Sequence, residues 1–311
     1  MIKKLITLIC MVLLITLSAN AVFADNDMTE EEQLLTGLGL WNDELSSYDG
    51  YITALSGFLF EEPEQIGDAE DIARYTGMLS LTDTYKGKGK ITYGDAVKYA
   101  VITLGYDPMI KGNGGGSIND YISKAAELSI TDGVTGDVNS KASYNTLVKI
   151  LYNMLEAEPL QKQLYATQES YIVEAGTTLL GINRDIYKIQ GLVTATEYTS
   201  IYSSSGTQNE NYIEIEEQEF CVTDKSFDYL LGYNIEAYIQ EDRDGEKHVL
   251  YMRELKSKNT TLEIEAEDIE KVSDDFSAIS YYNENDKLKR VKIEGAVRVI
   301  FNGVFMEIIQ L

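Results

Sequence analysis

The first half of the chain carries apolar residues at the three- and four-residue spacing of amphipathic helices. The pattern begins after Thr29, where Thr29-Glu30-Glu31-Glu32 has the form of a capping box. It predicts further helices over residues 48–60, 68–81, 92–104, 117–128 and 143–155. Residues 160–180 are predicted to form one more helix, with Pro159 tolerated in its first turn.

From Arg184 the period changes to two, which is typical of β-strands with one buried face. The alternation is clearest over residues 211–216 and 233–240. Further strands are predicted over residues 186–191, 248–255, 261–264, 278–282, 288–293 and 297–301. Turn dipeptides such as Asp244-Gly245 and Asn302-Gly303 separate them. This pattern predicts an antiparallel sandwich or barrel. Because only one short arm follows Asn302-Gly303, the β-rich domain is expected to be a truncated one.

The predicted helices come in pairs that recur at intervals of about 45 to 55 residues, a range typical of repeat proteins. The second helix of a pair begins with a hydroxyl residue, which can cap the free backbone N–H groups of a helix start. The three starts are residues 51–55 (YITAL), 91–97 (ITYGDAV) and 142–148 (ASYNTLV). The prediction is therefore an α+β protein. Helical repeats occupy residues 25–157, a connecting helix 158–183, and an antiparallel β-rich domain 184–311.

The N-terminus has the layout of a secretory signal peptide. Lys3 and Lys4 precede an apolar run over residues 5–17, and small residues follow up to Ala24. Cleavage is expected after Ala24, with Ala19-Asn20-Ala21 as a second possible site. The alternative is an uncleaved membrane anchor, but the run is short of the about 20 residues that a spanning helix needs. Residues 1–24 are therefore predicted to be removed on export, which leaves no membrane segment.

The net charge of the chain limits the classes of molecule that it can bind. The formal net charge is −25, so the chain should not bind nucleic acid, whose affinity depends on Lys and Arg neutralising phosphates. Binding to anionic lipid is excluded for the same reason. Cys221 is the only cysteine after residue 24, so no intrachain disulfide can form.

Candidate catalytic and metal-binding patterns are weak. His248 is the only histidine, and no cysteine lies near it in sequence, so neither a zinc site nor a histidine-based triad is expected. Residues 242–245 superficially resemble a calcium loop, but the further ligand positions are missing, and an ordinary hairpin turn is expected. Cys221 lies in an apolar strand without a cationic neighbour and is expected to be inert. No catalytic residue, cofactor or metal is predicted. An enzyme would need a carboxylate pair hidden among the many acids.

The helical half resembles S-layer homology domains, three-repeat modules that bind secondary cell-wall polysaccharide in Gram-positive bacteria. The resemblance covers about residues 30–156. It is carried by residues 91–97 followed by Leu104-Gly105-Tyr106, and by residues 121–129, Gly133 and residues 144–155. The β half, with residues 230–238 (LLGYNIEAY), looks like the region that follows degenerate repeats of this family in clostridial surface proteins.

One departure from the family concerns its Thr-Arg-Ala-Glu motif at the start of the second helix. The arginine position is held by Ala54, Tyr93 and Tyr144, and the glutamate position by Ser56, Asp95 and Thr146. Tyrosine cannot supply the planar, charged donor fork of a guanidinium, so binding of an anionic polymer should be weak. The two tyrosines either stack on sugar rings or pack against neighbouring helices. The polysaccharide-binding residues implied by the resemblance are Thr92, Tyr93, Asp95, Ser143 and Tyr144.

The resemblance implies an exported, non-catalytic protein on the extracellular face of the cell wall. Its partners would be secondary cell-wall polysaccharide or other surface proteins, and its role would be wall attachment or a scaffold in the surface layer. The alternative is a secreted structural or interaction protein whose repeats no longer bind the wall.

Overall fold

The computed structural model describes residues 28–306, apart from 166–167, 204, 208, 224, 275–276, 294–298 and 302–303. The predicted signal peptide, both cleavage sites and the Asn302-Gly303 turn lie outside the described residues. Within them, helices dominate the N-terminal half and strands the C-terminal half, so the α+β prediction is confirmed. None of the described helices combines the length and apolarity needed to cross a membrane.

The N-terminal half contains seven described α-helices. They are α1 (Glu30–Gly37), α2 (Tyr48–Ser56), α3 (Ala69–Tyr75), α4 (Tyr93–Thr103), α5 (Asp107–Gly112), α6 (Ile118–Glu127) and α7 (Tyr144–Met154). A short 3₁₀ turn, Pro63–Gln65, separates α2 from α3. Helix α1 begins with the expected capping box, in which Thr29 and Glu32 hydrogen-bond each other's backbone N–H groups.

The helix predicted from residue 48 begins there, but the hydroxyl cap of the first repeat is not within residues 51–55 as predicted. Helix α2 begins at Tyr48, because the Ser47 hydroxyl accepts a hydrogen bond from the Gly50 N–H at 3.0 Å. Thr53 is inside the helix, where its hydroxyl donates to the Asp49 carbonyl at 2.9 Å. By its place directly after the capping hydroxyl, Tyr48, and not Ala54, corresponds to Tyr93 and Tyr144. A Ser or Thr followed by Tyr begins all three helices α2, α4 and α7.

The same backbone hydrogen bonds join successive repeats. The N–H of Tyr48 donates to the Gly89 carbonyl at 3.0 Å, and the N–H of Tyr93 donates to the Ser140 carbonyl at 2.9 Å. One residue further on, Asp49 and Gly94 donate to Gly87 and Val138 in the same way. These corresponding bonds show that α2 and α4 occupy equivalent places in two structural repeats.

The prediction of a connecting helix over residues 158–183 is wrong. The chain instead forms a hairpin of β1 (Leu160–Tyr165) and β2 (Gln168–Val173), followed by the short helix α8 (Leu179–Arg184). The N–H of Leu160 donates to the Leu104 carbonyl at 2.8 Å, and this bond starts the segment as an extended strand. Arg184 then ties α8 to the first repeat, because its Nη1 donates to the carbonyls of Leu38 and Gly57, each at 2.9 Å.

The β-rich half contains a closed barrel with strand order β3-β4-β5-β7-β6. Its strands are β3 (Ile186–Ala195), β4 (Tyr212–Ile215), β5 (Gln218–Val222), β6 (Asn234–Glu241) and β7 (Lys247–Glu254). All neighbours in the barrel pair antiparallel except β5 and β7, which pair parallel. Of the predicted sandwich and barrel, the structure therefore has the barrel over this part of the chain.

Two smaller sheets follow the barrel. Strands β8 (Ile269–Val272), β9 (Ala278–Tyr282) and β10 (Leu288–Lys292) form one, and β11 (Val299–Phe301) pairs with β12 (Val304–Met306) in the other. The strand predicted over 261–264 is absent, and this segment is irregular. Its residues are mostly exposed, so their alternation has no buried face to define a strand.

Among the described residues, two hydrophobic cores hold the helical repeats and the barrel. The larger one fills the helical repeats and also takes in Leu160, Leu180, Ile186 and Tyr238 from the following segments. The smaller one lies inside the barrel and includes Val193, Phe220 and Ile235. Because residues of β3 and β6 belong to the larger core, the barrel packs directly on the repeats.

Candidate binding surface of the helical repeats

The two predicted hydroxyl residues cap helix starts. The Thr92 hydroxyl accepts from the Asp95 N–H at 3.2 Å, and the Ser143 hydroxyl accepts from the Thr146 N–H at 3.1 Å. Ser143 also lies 2.8 Å from the Thr146 hydroxyl. Both side chains therefore have a structural role in satisfying backbone donors at helices α4 and α7.

Tyr93 is buried at the first position of α4, with 5% of its surface exposed. Its ring covers Gly136 so closely that a Cβ atom at residue 136 would lie 2.5 Å from the ring carbon Cγ. Burial raises the pKa of the Tyr93 hydroxyl. The ring thus packs inside the protein, between the second repeat and the loop that leads into the third.

Asp95 joins the first two repeats. Its Oδ2 accepts a hydrogen bond from the Tyr48 hydroxyl and lies 2.9 Å from the Lys86 ammonium. Lys86 in turn lies 4.8 Å from the centre of the Tyr48 ring, within reach of a cation–π contact. Burial acts to raise the pKa of Asp95. The hydrogen bonds from Tyr48 and Lys86 outweigh burial, so the pKa lies below its usual value.

Tyr144 joins the third repeat to the first. Its hydroxyl accepts a hydrogen bond from the Trp41 indole Nε1 at 2.6 Å. Hydrogen bonding with Tyr144 also holds the pKa of the Glu32 carboxyl below its usual value. Burial, and then the bond to Glu32, raise the pKa of Tyr144. Glu32 is itself fixed, because its Oε2 accepts from the Thr29 N–H at 2.6 Å.

The five residues implied by the resemblance therefore lie at two helix starts. Thr92, Tyr93 and Asp95 belong to α4, whereas Ser143 and Tyr144 belong to α7. The sequence interpretation did not include their partners Tyr48, Lys86, Trp41 and Glu32. The Ser-Tyr pair at residues 47–48, which matches the starts of α4 and α7, is the signal that identifies Tyr48.

A cleft of about 420 Å³ lies between α1 and α7, and its lining includes Asn145, the residue after Tyr144, but not Tyr144 itself. Thr29, Glu31, Gly133, Asn145 and Lys149 are among the residues that line it. Lys149 pairs across the cleft with Glu31 at 3.0 Å. The lysine charge is therefore compensated within the protein, and two glutamates, Glu31 and Glu32, face the same space. Such a lining does not favour a polyanion.

A larger cleft, of about 610 Å³, lies where helix α1 meets barrel strand β7. Tyr229, which is 68% exposed, lines it together with Tyr251 and Arg253. Arg253 is held at one wall, because its Nη2 donates to the Glu236 carboxylate at 2.7 Å and to the Tyr152 hydroxyl at 3.3 Å. These contacts join the barrel to the third repeat.

Comparison with known proteins finds a similar cell-wall protein. Over 96 residues, or 31% of this chain, the sequence is 31% identical to a middle cell wall protein of Brevibacillus brevis. The matched region covers 9% of that protein's length. No family model matches the chain, and the resemblance to S-layer homology domains stays a prediction. No solved structure matches it either.

Proposed function

We propose that this chain is an exported, non-catalytic protein of the cell envelope, held in the surface layer by its helical repeats. The observation that supports this most is the 31% identity to a middle cell wall protein over 96 residues. The repeated helix starts and their equivalent backbone bonds add a second reason, because such stacked repeats bury a continuous core and form a rigid unit. In this proposal the repeats form a scaffold and the barrel faces outward.

The geometry favours a scaffold over a direct anchor to an anionic wall polymer. Tyrosines hold the three positions that the resemblance to S-layer homology domains matches with arginine, and their rings or hydroxyls contact other parts of the repeats. The net charge of −25 further disfavours polyanion binding. Contacts with other surface proteins, which do not require a cationic groove, are therefore proposed as the main attachment.

The second candidate is a secreted interaction protein whose repeats no longer bind the wall. The observation that favours it is the internal use of the implied binding residues, since Thr92 and Ser143 cap helices and Tyr93 is buried. In that case the repeats serve only to support the barrel.

A co-sedimentation experiment separates these functions. The chain from residue 25 onward is mixed with three preparations of sacculi. The first keeps wall polysaccharide and surface proteins, the second keeps polysaccharide only, and the third is stripped of both. The scaffold proposal expects retention on the first alone. Retention on the first two would instead establish polysaccharide attachment, and retention on none would support the secreted alternative.

A substitution tests whether the Tyr144 position can still serve a polysaccharide groove. Tyr144→Arg restores the guanidinium next to the cleft between α1 and α7, whereas Tyr93 is too buried for this test. If the position faces a groove, Tyr144→Arg increases retention on polysaccharide-only sacculi. Tyr75→Arg, at a tyrosine that is 71% exposed, is the control for added charge. Equal retention of the two variants would show that the groove is lost.

A further inference from the structure

The only histidine of the chain lies on the outer face of the barrel. His248 is in register with Cys221, and Val249 is in register with Val222, in the parallel pair β5–β7. Val222 and Val249 are buried in the barrel core. Because side chains alternate along a strand, His248 and Cys221 point outward.

The turn between β6 and β7 directs two carboxylates at this histidine. Asp242 Oδ2 lies 3.2 Å from His248 Nε2, and Glu246 Oε2 lies 3.5 Å from the same nitrogen. Glu246 directly precedes strand β7 and is two residues from His248, and its carboxylate lies on the same side as the imidazole. Side-chain donor atoms of all three residues lie within 4.8 Å of one another.

One oxygen of each carboxylate accepts hydrogen bonds from neighbouring groups, and the other oxygen faces the imidazole of His248. Asp242 Oδ1 accepts from the N–H groups of Asp244 at 2.9 Å and Glu246 at 2.8 Å. Glu246 Oε1 accepts from the hydroxyl of Tyr212 on strand β4. Outer contacts of this kind fix ligand orientation in metal sites, so little rearrangement is needed for Oδ2 and Oε2 to share one ion.

We propose that Asp242, Glu246 and His248 bind a divalent transition metal of the Zn²⁺ class. Four ligands at Zn–N and Zn–O distances of about 2.0–2.1 Å are about 3.3 Å apart along the edges of a tetrahedron. The separations of 3.2 and 3.5 Å from His248 Nε2 to the two carboxylates match this edge. The two carboxylates and the histidine are between 33% and 42% exposed, so water can complete the coordination.

The donor types decide between classes of cation. Imidazole nitrogen with carboxylate oxygens suits Zn²⁺ and its neighbours, whereas Ca²⁺ and Mg²⁺ take oxygen ligands. The net charge of −25 also concentrates cations near the surface. The sequence interpretation expected a plain hairpin turn at 242–245 and no zinc site at His248. The turn exists, but its Asp242 converges in space with Glu246, which precedes β7, and with the strand residue His248.

The test is a calorimetric titration of the metal-stripped chain, from residue 25 onward, with ZnCl₂. One equivalent of Zn²⁺ is expected to bind, and excess CaCl₂ should not displace it. His248→Ala should lower the affinity by about tenfold or more, since it removes a direct ligand. Asp242→Asn should act in the same direction. Circular dichroism and Trp41 fluorescence confirm that each variant is folded.

Two control variants make the result specific. Asp244→Asn removes the same charge from the same turn, but its side chain is not part of the donor cluster, so affinity should be unchanged. Cys221→Ser should also leave affinity unchanged, because the three donors do not include the thiol. The proposal is overturned if no saturable binding occurs, if His248→Ala binds like the parent chain, or if binding is lost with Cys221. The three side chains would then be only a hydrogen-bonded group at the barrel surface.

Discussion

The hydrogen bond from Tyr48 to Asp95 should be a major stabilising contact between the first two repeats. Tyr48 is 2% exposed, and its hydroxyl donates to the Oδ2 atom of Asp95. Burial, and then the bond to Asp95, raise the pKa of Tyr48, so the hydroxyl keeps its proton at neutral pH. The substitution Tyr48→Phe removes this donor and preserves the ring.

The size of the effect follows from the charge of the acceptor. Hydrogen bonds to charged groups contribute about 1.5–3 kcal/mol, and neutral ones about 1 kcal/mol. Lys86 still holds the same carboxylate at 2.9 Å after the change, so Asp95 is not left unpaired. We therefore expect Tyr48→Phe to lower the free energy of unfolding by about 2 kcal/mol, or about 30-fold in the equilibrium constant.

The assay is urea unfolding followed by tryptophan fluorescence. Trp41 is the only tryptophan, and its indole donates to Tyr144, so its signal reports on the helical repeats. A double-mutant cycle with Asp95→Ala isolates the pair and should give a coupling energy above about 1 kcal/mol. Tyr75→Phe, at a tyrosine that is 71% exposed, is the matched control and should change stability little. If Tyr48→Phe costs no more than this control, or if the cycle shows no coupling, the contact does not stabilise the repeats.

Two further predictions concern the same repeats. The pKa of Asp95 is lower in the folded state, so its stabilising contribution is present above the unfolded pKa of about 4 and is lost as the pH falls through the folded value. Asp95→Asn should therefore reduce the loss of stability in acid, as measured by urea unfolding across a pH series. A Cβ atom at Gly50 would lie 2.1 Å from the Glu44 carbonyl oxygen, so Gly50→Ala should destabilise by about 2 kcal/mol or more. Gly112→Ala, where nothing lies within 4 Å of the added atom, should show no such loss in thermal unfolding.

Helix starts could be predicted from the sequence where local chemistry decides them. Thr92 and Ser143 cap α4 and α7 as expected, because a hydroxyl can satisfy the N–H group three residues later without any distant partner. The first repeat was harder, since Thr53 offers the same chemistry as Ser47. The backbone bond from Tyr48 to Gly89 decides between them, and a partner so far along the chain is not visible in a local pattern.

Contacts between residues far apart in the chain also explain why the sequence did not predict the β1–β2 hairpin and the order of the barrel strands. The segment after Pro159 carries leucines at helical spacing, yet bonding of Leu160 to Leu104 and pairing of β1 with β2 make it a hairpin. Alternation predicts strands but not which strands are neighbours. The parallel pairing of β5 with β7, which closes the barrel, therefore could not be derived from it.

The contacts of the candidate binding residues also depend on residues that are distant in the sequence. The resemblance identified Tyr93 and Tyr144 by their positions, but their contacts depend on the loops and helices that pack around them. Gly136 and Trp41 are the residues that settle where the two tyrosines lie. Neither belongs to the helix start that carries the motif, so the sequence favoured packing against helices over stacking on sugars but did not exclude the stacking.

The tyrosines at the starts of α2, α4 and α7 fit the composition of the whole chain. It has 51 acidic residues against 26 lysines and arginines, together with 22 tyrosines. Tyrosine hydroxyls donate to carboxylates in the pairs Tyr48–Asp95, Tyr85–Asp49, Tyr121–Asp107 and Tyr212–Glu246. A neutral donor can satisfy an acid where cations are scarce, and such a bond depends less on salt than an ion pair does.

In the repeats, these tyrosine–carboxylate hydrogen bonds are directed inward, from Tyr48 to Asp95 and between Tyr144 and Glu32. An arginine at these positions could recognise an external anion, whereas a tyrosine bonded to an internal acid strengthens the contact between repeats. We therefore expect tyrosine at these positions to favour a rigid scaffold over a groove that binds wall polymer.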